Sequence, residues 1–292
     1  MREVLSDIDR WRAQGEPVAL ATVIQTWGSA PRGVGAKMAL TSGGQIGGSV
    51  SGGCVEGAVF EAGAQVLKTG RPQLLHFGVA DETAWEVGLA CGGSIEVFVK
   101  PLDAALYEAA RVALTEERLA ASVMVVRGTA ELLGREVMLR DDGSVVGELD
   151  GELDELAIAA AQVALTKGQS RRLTLPDAAT GPVEIFIDVM LPSPTLIAVG
   201  GVHIAIALTA IAKTLGYRTI VIDPRRTFGN EIRFSHVDRL IQAWPDEALA
   251  QVDLTRSTAV AMLTHDPKLD DPALKLALPS PAFYVGALGS QK

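Results

Sequence analysis

An α/β protein built in two parts is what the sequence predicts, on three observations. Runs rich in Val, Ile and Leu alternate with helical patterns along 292 residues, a length that suits two cores. A β-turn-β-helix pattern in the first two thirds of the chain occurs twice, at an offset of 99 residues. After Pro192-Ser193-Pro194 the pattern becomes strand, glycine turn, helix, strand, which marks a parallel βαβ unit. The expected domains are 1–191, with the repeat over about 16–102 and 119–191, and 192–292.

The elements follow in order. Val4, Leu5, Ile8 and Trp11 stand at helical spacing among charged residues, so the N-terminus reads as an amphipathic helix and not a signal peptide. Strands are expected over 18–26, 36–40, 45–50, 73–77 and 94–99. A helix from about 53 to 68 follows the glycine turn, with Ser51 as its expected cap and Gly70 as its stop. Another helix is expected over 104–117. The repeat then places Gly35, Gly44, Gly48 and Gly52 over Gly134, Gly143, Gly147 and Gly151, and GSIEVFV over GPVEIFI. In the last domain strands are expected over 195–199, 217–222, 259–263 and 282–285, with helices over 203–215 and 268–277. No helix pattern follows the last strand, so a shortened parallel-sheet domain is expected.

Composition narrows the function. A net charge of -9 argues against nucleic acid as a partner, because phosphate backbones need a surplus of Lys and Arg. No apolar run approaches the ~20 residues of a membrane span. With a soluble globular composition and two cysteines, which do not make a disulfide framework, cytoplasm is the expected compartment.

The segment from Gly47 to Gly57 holds five glycines, two serines and one of the two cysteines. Glycine lets a backbone approach a ligand, and a helix N-terminus offers N–H groups to an anion. Ser51, Gly52, Gly53 and Cys54 therefore read as an anion cradle beside a thiol, and Arg32 is a candidate to reach the same anion. Cys91 also sits among glycines. The second copy replaces Cys54 by Leu153, Gly53 by Glu152, Ser51 by Asp150, Ser49 by Glu148 and Cys91 by Ala179. The first copy is thus the expected ligand site and the second its support. Two buried structural thiols are the alternative. Glu56 is retained as Glu155, which points to helix-start electrostatics.

In the last domain, Gly200-Gly201-Val202-His203 partly matches a dinucleotide turn, with Val202 in the middle glycine's place. Asp223 stands where a ribose hydroxyl would be bound, and Arg225 and Arg226 are placed to take a phosphate. His203, His265 and Asp266 are candidates for a metal or proton-transfer cluster, with solvated or capping roles as the alternative.

The segments TWGSAPRGVGAKM, GSVSGGCVEGAV, FGVADETAWEVGLACGGSIEVFVKPL, THD and YVGALGS closely resemble the XdhC/CoxI family of maturation factors for molybdenum hydroxylases. The resemblance covers nearly the whole chain. It implies a Rossmann-like C-terminal domain and a chaperone that binds the molybdenum cofactor (molybdopterin). It implies support for sulfuration and insertion of that cofactor into an apo-enzyme of the xanthine or CO dehydrogenase type. A cysteine desulfurase-type sulfur donor and a homodimer belong to the same expectation. Cys54 and Cys91 are then candidate molybdenum contacts, and the glycine cradle the place for the phosphate. The chain departs from the family at Val202, where glycine is usual, and at Pro267, where a histidine is common. The competing functions are an NAD(P)-dependent oxidoreductase using the last domain and a scaffold with no ligand; an accessory factor is preferred over an enzyme.

Overall fold

The computed structural model describes residues 1–78, 92–175 and 182–289. The chain divides into two compact units, Met1–Leu191 and Pro192–Lys292.

The first unit holds two assemblies of one topology. The first comprises α1 (Arg2–Ala13), β1 (Val18–Trp27), β2 (Lys37–Thr41), β3 (Ile46–Gly48), α2 (Glu56–Thr69), β4 (Gln73–Phe77) and β5 (Ser94–Pro101). The second comprises α3 (Ala104–Thr115), β6 (Ala120–Arg127), β7 (Glu136–Arg140), β8 (Val145–Glu148), α4 (Glu152–Lys167), β9 (Arg171–Leu175) and β10 (Val183–Met190). Both sheets are antiparallel, in the orders β3-β2-β1-β5-β4 and β8-β7-β6-β10-β9. Each assembly opens with a helix, so the common pattern reaches beyond 16–102 and 119–191. α1 packs on β2 and β3, as α3 packs on β7 and β8.

Local chemistry accounts for the elements. Val4, Ile8 and Trp11 bury one stripe of α1. Asp103 caps α3 by accepting from the N–H groups of Ala105 and Leu106. α2 ends at Gly70 with φ 71°, whose N–H returns to the Val66 carbonyl at 2.8 Å. Gly48 and Gly147 have φ 72° and 84°, and a Cβ on either would run into the backbone of β2 or β7 and into Val4 or Leu106 of the covering helix. That shared need for glycine is what makes the repeat visible in the sequence.

One face of each sheet packs on its long helix. Val59 and Val66 of α2 lie against Val23, Leu40 and Val97, and Leu153, Ala157 and Ala161 of α4 lie against Val123, Val137 and Ile185. The opposite faces meet each other around Ile24, Phe98, Met124, Val126 and Phe186.

Beside that layer lie two buried ion pairs. Lys37 reaches Asp188 at 2.8 Å and donates to Thr22, and Lys100 pairs with Glu136, which also accepts from Ser122. Lys37 and Glu136 are counterparts: they stand opposite Thr22 and Met124, one residue before Val23 and Val125, which accept from Gly35 and Gly134. Lys100 and Asp188 are counterparts in the same way, opposite Leu20 and Ser122. Both lysines thus belong to the first assembly, both acids to the second, and the pairs cross between them. A cavity of about 40 Å³ lies among these side chains.

The second unit contains β11 (Thr195–Val199), α5 (His203–Thr214), β12 (Arg218–Ile222), β13 (Arg239–Ile241), α6 (Pro245–Leu249), β14 (Thr258–Met262), α7 (Pro267–Ala277) and β15 (Tyr284–Ala287). The strands are all parallel, in the order β13-β12-β11-β14-β15. This is the doubly wound Rossmann order, with its switch point between β11 and β14. β13 and α6 were not expected from the sequence: they are three and five residues long, too short for a periodic signal.

Candidate functional site

The Gly47–Gly57 segment forms the turn between β3 and α2, and it already holds an anion, the carboxylate of Glu56. Glu56 accepts hydrogen bonds from the backbone N–H groups of Val50 (3.2 Å), Ser51 (2.9 Å), Gly52 (3.1 Å) and Gly53 (2.8 Å). It also accepts from the hydroxyls of Ser49 (2.6 Å) and Ser51. Burial alone would raise the Glu56 pKa, but the hydrogen bonds from Ser49 and Ser51 outweigh it and bring it down to about 2. The cradle read from the glycines is therefore filled from within, which corrects the expectation that its N–H groups stand ready for a phosphate. Glu56 does more than serve the helix start. Its signal in the sequence is the set Ser49, Ser51, Glu56, two hydroxyls a short turn ahead of a carboxylate.

Ser51 differs from its expected capping role. The cap position is Val55, with no side-chain cap, and α2 begins at Glu56 rather than near Gly53. The Ser51 hydroxyl oxygen accepts instead from the Val55 N–H at 3.0 Å. Gly52 and Gly53 take φ 80° and 121°, a path closed to most side chains. Cys54, between Gly53 and Val55, is exposed.

Arg32 is already paired with Glu3 of α1, whose other oxygen accepts from the Lys37 N–H at 3.1 Å. It ties the loop after β1 to the first helix. That loop borders the cradle, since Pro31 lies against Gly52, and Gly93 packs on the backbone of Ser29 and Trp27 at the start of β5. Cys91 lies outside the described residues, as does its counterpart Ala179.

In the second unit the glycine turn after β11 is also engaged by the chain, through the segment that follows β12. Asp223, fully buried at the end of β12, accepts from the Gly201 N–H (2.7 Å), from the Arg225 N–H (2.9 Å) and from the Arg225 guanidinium (2.9 and 2.8 Å). Burial would raise its pKa, but the bonds from Arg225 and Gly201 outweigh it and hold it below the usual carboxylate range. A Cβ on Gly201 would lie 2.7 Å from the Phe228 carbonyl oxygen, so the loop after β12 covers this glycine. Arg233 fastens the loop by donating to the carbonyls of Gly201 (2.7 Å) and Phe228 (2.8 Å). Gly200, at φ 107°, packs on Thr264 at the end of β14. A dinucleotide needs an open glycine turn and a free acid for the ribose; Gly200, Gly201 and Asp223 offer neither here. Arg233 was invisible to sequence reasoning because its partner lies 32 residues earlier.

His203 opens α5 and is exposed. His265 is exposed in the left-handed region at φ 58°. The Asp266 carboxylate caps α7 by accepting from the Lys268 N–H at 3.0 Å. Among the described residues no group of three or more His, Cys, Asp and Glu is placed to hold a metal, so the expected His203, His265 and Asp266 cluster does not form. No helix among the described residues is long and apolar enough to cross a membrane.

Two antiparallel sheets followed by a Rossmann-like unit, with an exposed thiol on a braced glycine turn, define a class of two-part α/β proteins. Residues 11–78 match the XdhC and CoxI family and residues 196–292 match the XdhC Rossmann domain, together more than half of the chain. The chain belongs to the XdhC and CoxI family. It is 27% identical over 282 residues to a probable xanthine dehydrogenase subunit of Bacillus subtilis (strain 168), covering 94% of this chain and 80% of the relative. It is 26% identical over 279 residues to the molybdenum cofactor insertion chaperone PaoD of Escherichia coli (strain K12), covering 95% of this chain and 69% of the relative. The crystal structure of a xanthine dehydrogenase from Bacillus halodurans shares the fold with a TM-score of 0.72 at 22% identity, over 98% of this chain and 82% of the other.

Proposed function

We propose that this protein binds the molybdenum cofactor as cargo and helps insert it into an apo-enzyme of the molybdenum hydroxylase type. The observation that carries the reading is the presentation of Cys54: an exposed thiol on a restrained turn, in the one assembly that keeps this turn, in a chain related over most of its length to a cofactor insertion chaperone. A thiolate suits a soft metal centre. In this reading Cys54 meets the metal side of the cargo, and Cys91, two residues before Gly93, is its proposed companion. With the cradle filled by Glu56, the cargo's phosphate is held outside the glycine turn. Support of sulfuration, a sulfur donor of the cysteine desulfurase type, a xanthine or CO dehydrogenase as recipient and a homodimer belong to the same proposal and rest on the family alone.

The test is anaerobic incubation with molybdenum cofactor, followed by assay of retained pterin and molybdenum. Wild type is expected to retain both, and Cys54→Ala and Cys91→Ala to lose most of the metal. No retention by wild type would sink the proposal, and full retention by both variants would remove the thiols from it.

A further inference from the structure

We propose that Glu56 is the positioning residue for Cys54: an internal anion that keeps the turn before α2 unwound and the thiol facing outward. The inference rests on the reading of Cys54 as the cargo contact and deepens it.

Three observations carry it. First, both neighbours of Cys54 are pinned. The Gly53 N–H donates to Glu56 at 2.8 Å, and the Val55 N–H donates to Ser51, whose hydroxyl donates to Glu56. The Val55 side chain is fully buried in the core of the first assembly. Cys54, between them, is exposed. Second, the matching segment behaves differently where the two serines of the turn are replaced by Glu148 and Asp150. From this turn onward the copies match at an offset of 98 rather than 99: buried Val55 and Val59 answer to buried Leu153 and Ala157, and the capping Gly70 to Gly168, so Glu56 answers to Asp154 and Cys54 to Glu152. α4 starts at Glu152, two residues earlier than α2 by that match, so part of the turn is wound into the helix. There the Leu149 N–H donates to Asp154 at 2.7 Å, as the Val50 N–H donates to Glu56, while the Leu153 N–H turns to the Asp150 carbonyl at 2.7 Å where the Val55 N–H meets the Ser51 hydroxyl. Third, N–H groups that would cap or extend α2 are satisfied by one carboxylate, so the chain has no need to wind further.

Amide hydrogen exchange on the full chain, read on peptides covering residues 46–60, tests the brace. Glu56→Gln is expected to speed exchange at residues 50–53 by about tenfold or more while peptides from β1 and β5 keep their rates. Glu56→Asp, which keeps the charge on a shorter arm, is expected to recover part of the protection. Alkylation of Cys54 by iodoacetamide, located by mass spectrometry, is expected to change by about threefold or more in Glu56→Gln and to return toward wild type in Glu56→Asp. Wild-type exchange in Glu56→Gln overturns the brace. Faster exchange with an unaltered Cys54 rate overturns its role toward the thiol. Both readouts use the protein without cargo, so failure of the molybdenum-retention experiment is a separate result.

Discussion

The two assemblies of the first unit share a strand order and differ in what they do with one turn. In the first, Glu56 gathers four backbone N–H groups and two hydroxyls, and the chain between β3 and α2 stays open around Cys54. In the second, the turn is one residue shorter, Asp154 stands in the place of Glu56 and accepts from the Leu149 N–H, and α4 begins two residues earlier. The scaffold therefore does not dictate the turn. One more residue, two glycines with poor helix propensity and a carboxylate that gathers four N–H groups accompany the open turn.

The comparison can be broken most forcefully at the interface of the two assemblies. Asp188→Ala leaves Lys37 buried with its charge unpaired. It is expected to cost about 3–5 kcal/mol in urea unfolding, whereas the exchanged pair Lys37→Asp with Asp188→Lys recovers most of that loss. If the double exchange is no better than the sum of the single changes, the crossed pairing does not hold the assemblies in register. A middling effect is expected where the two copies agree. Gly48→Ala and Gly147→Ala each force a side chain into left-handed backbone against β2 or β7. Each should cost at least ~1–2 kcal/mol by the same measurement, and by similar amounts.

The smallest effect concerns pH and separates the copies again. Because Glu56 has its folded-state pKa lowered to about 2, its contribution is present above the ordinary carboxylate range and is lost as the pH falls from about 4.5 toward 2. The difference in unfolding midpoint between wild type and Glu56→Gln should therefore be constant at neutral pH and shrink over that window. A difference that persists unchanged at pH 2 would show that the carboxylate's charge is not what braces the turn.

Much of the fold was legible because backbone geometry left marks in the residues. Gly35, Gly44 and Gly48 and their counterparts Gly134, Gly143 and Gly147 all have positive φ, so the repeat could be read from these glycines together with the paired GSIEVFV and GPVEIFI strands. The opening helices were missed as part of the repeat because REVLSDIDRWRA and AALYEAARVALT agree at no aligned position; only their packing is alike. At the site, the glycine turn and Cys54 were visible, since flanking glycines mark close or unusual backbone. What stayed hidden was which charges are already spent. Arg32 answers to Glu3, 29 residues away, and Gly201 is covered by a loop fastened through Arg233. A sequence displays charges one at a time, whereas their availability is a property of pairs.

The crossed ion pairs have a consequence for descent. Each buried lysine and its acid sit in different assemblies, 151 and 36 positions apart in the chain, at Lys37 with Asp188 and Lys100 with Glu136. A replacement at one member is tolerated only with an answering replacement at the other. Relatives of this chain should therefore vary at positions 37 and 188 jointly, and likewise at 100 and 136. The two halves would then be free to drift in sequence while remaining bound to each other's changes.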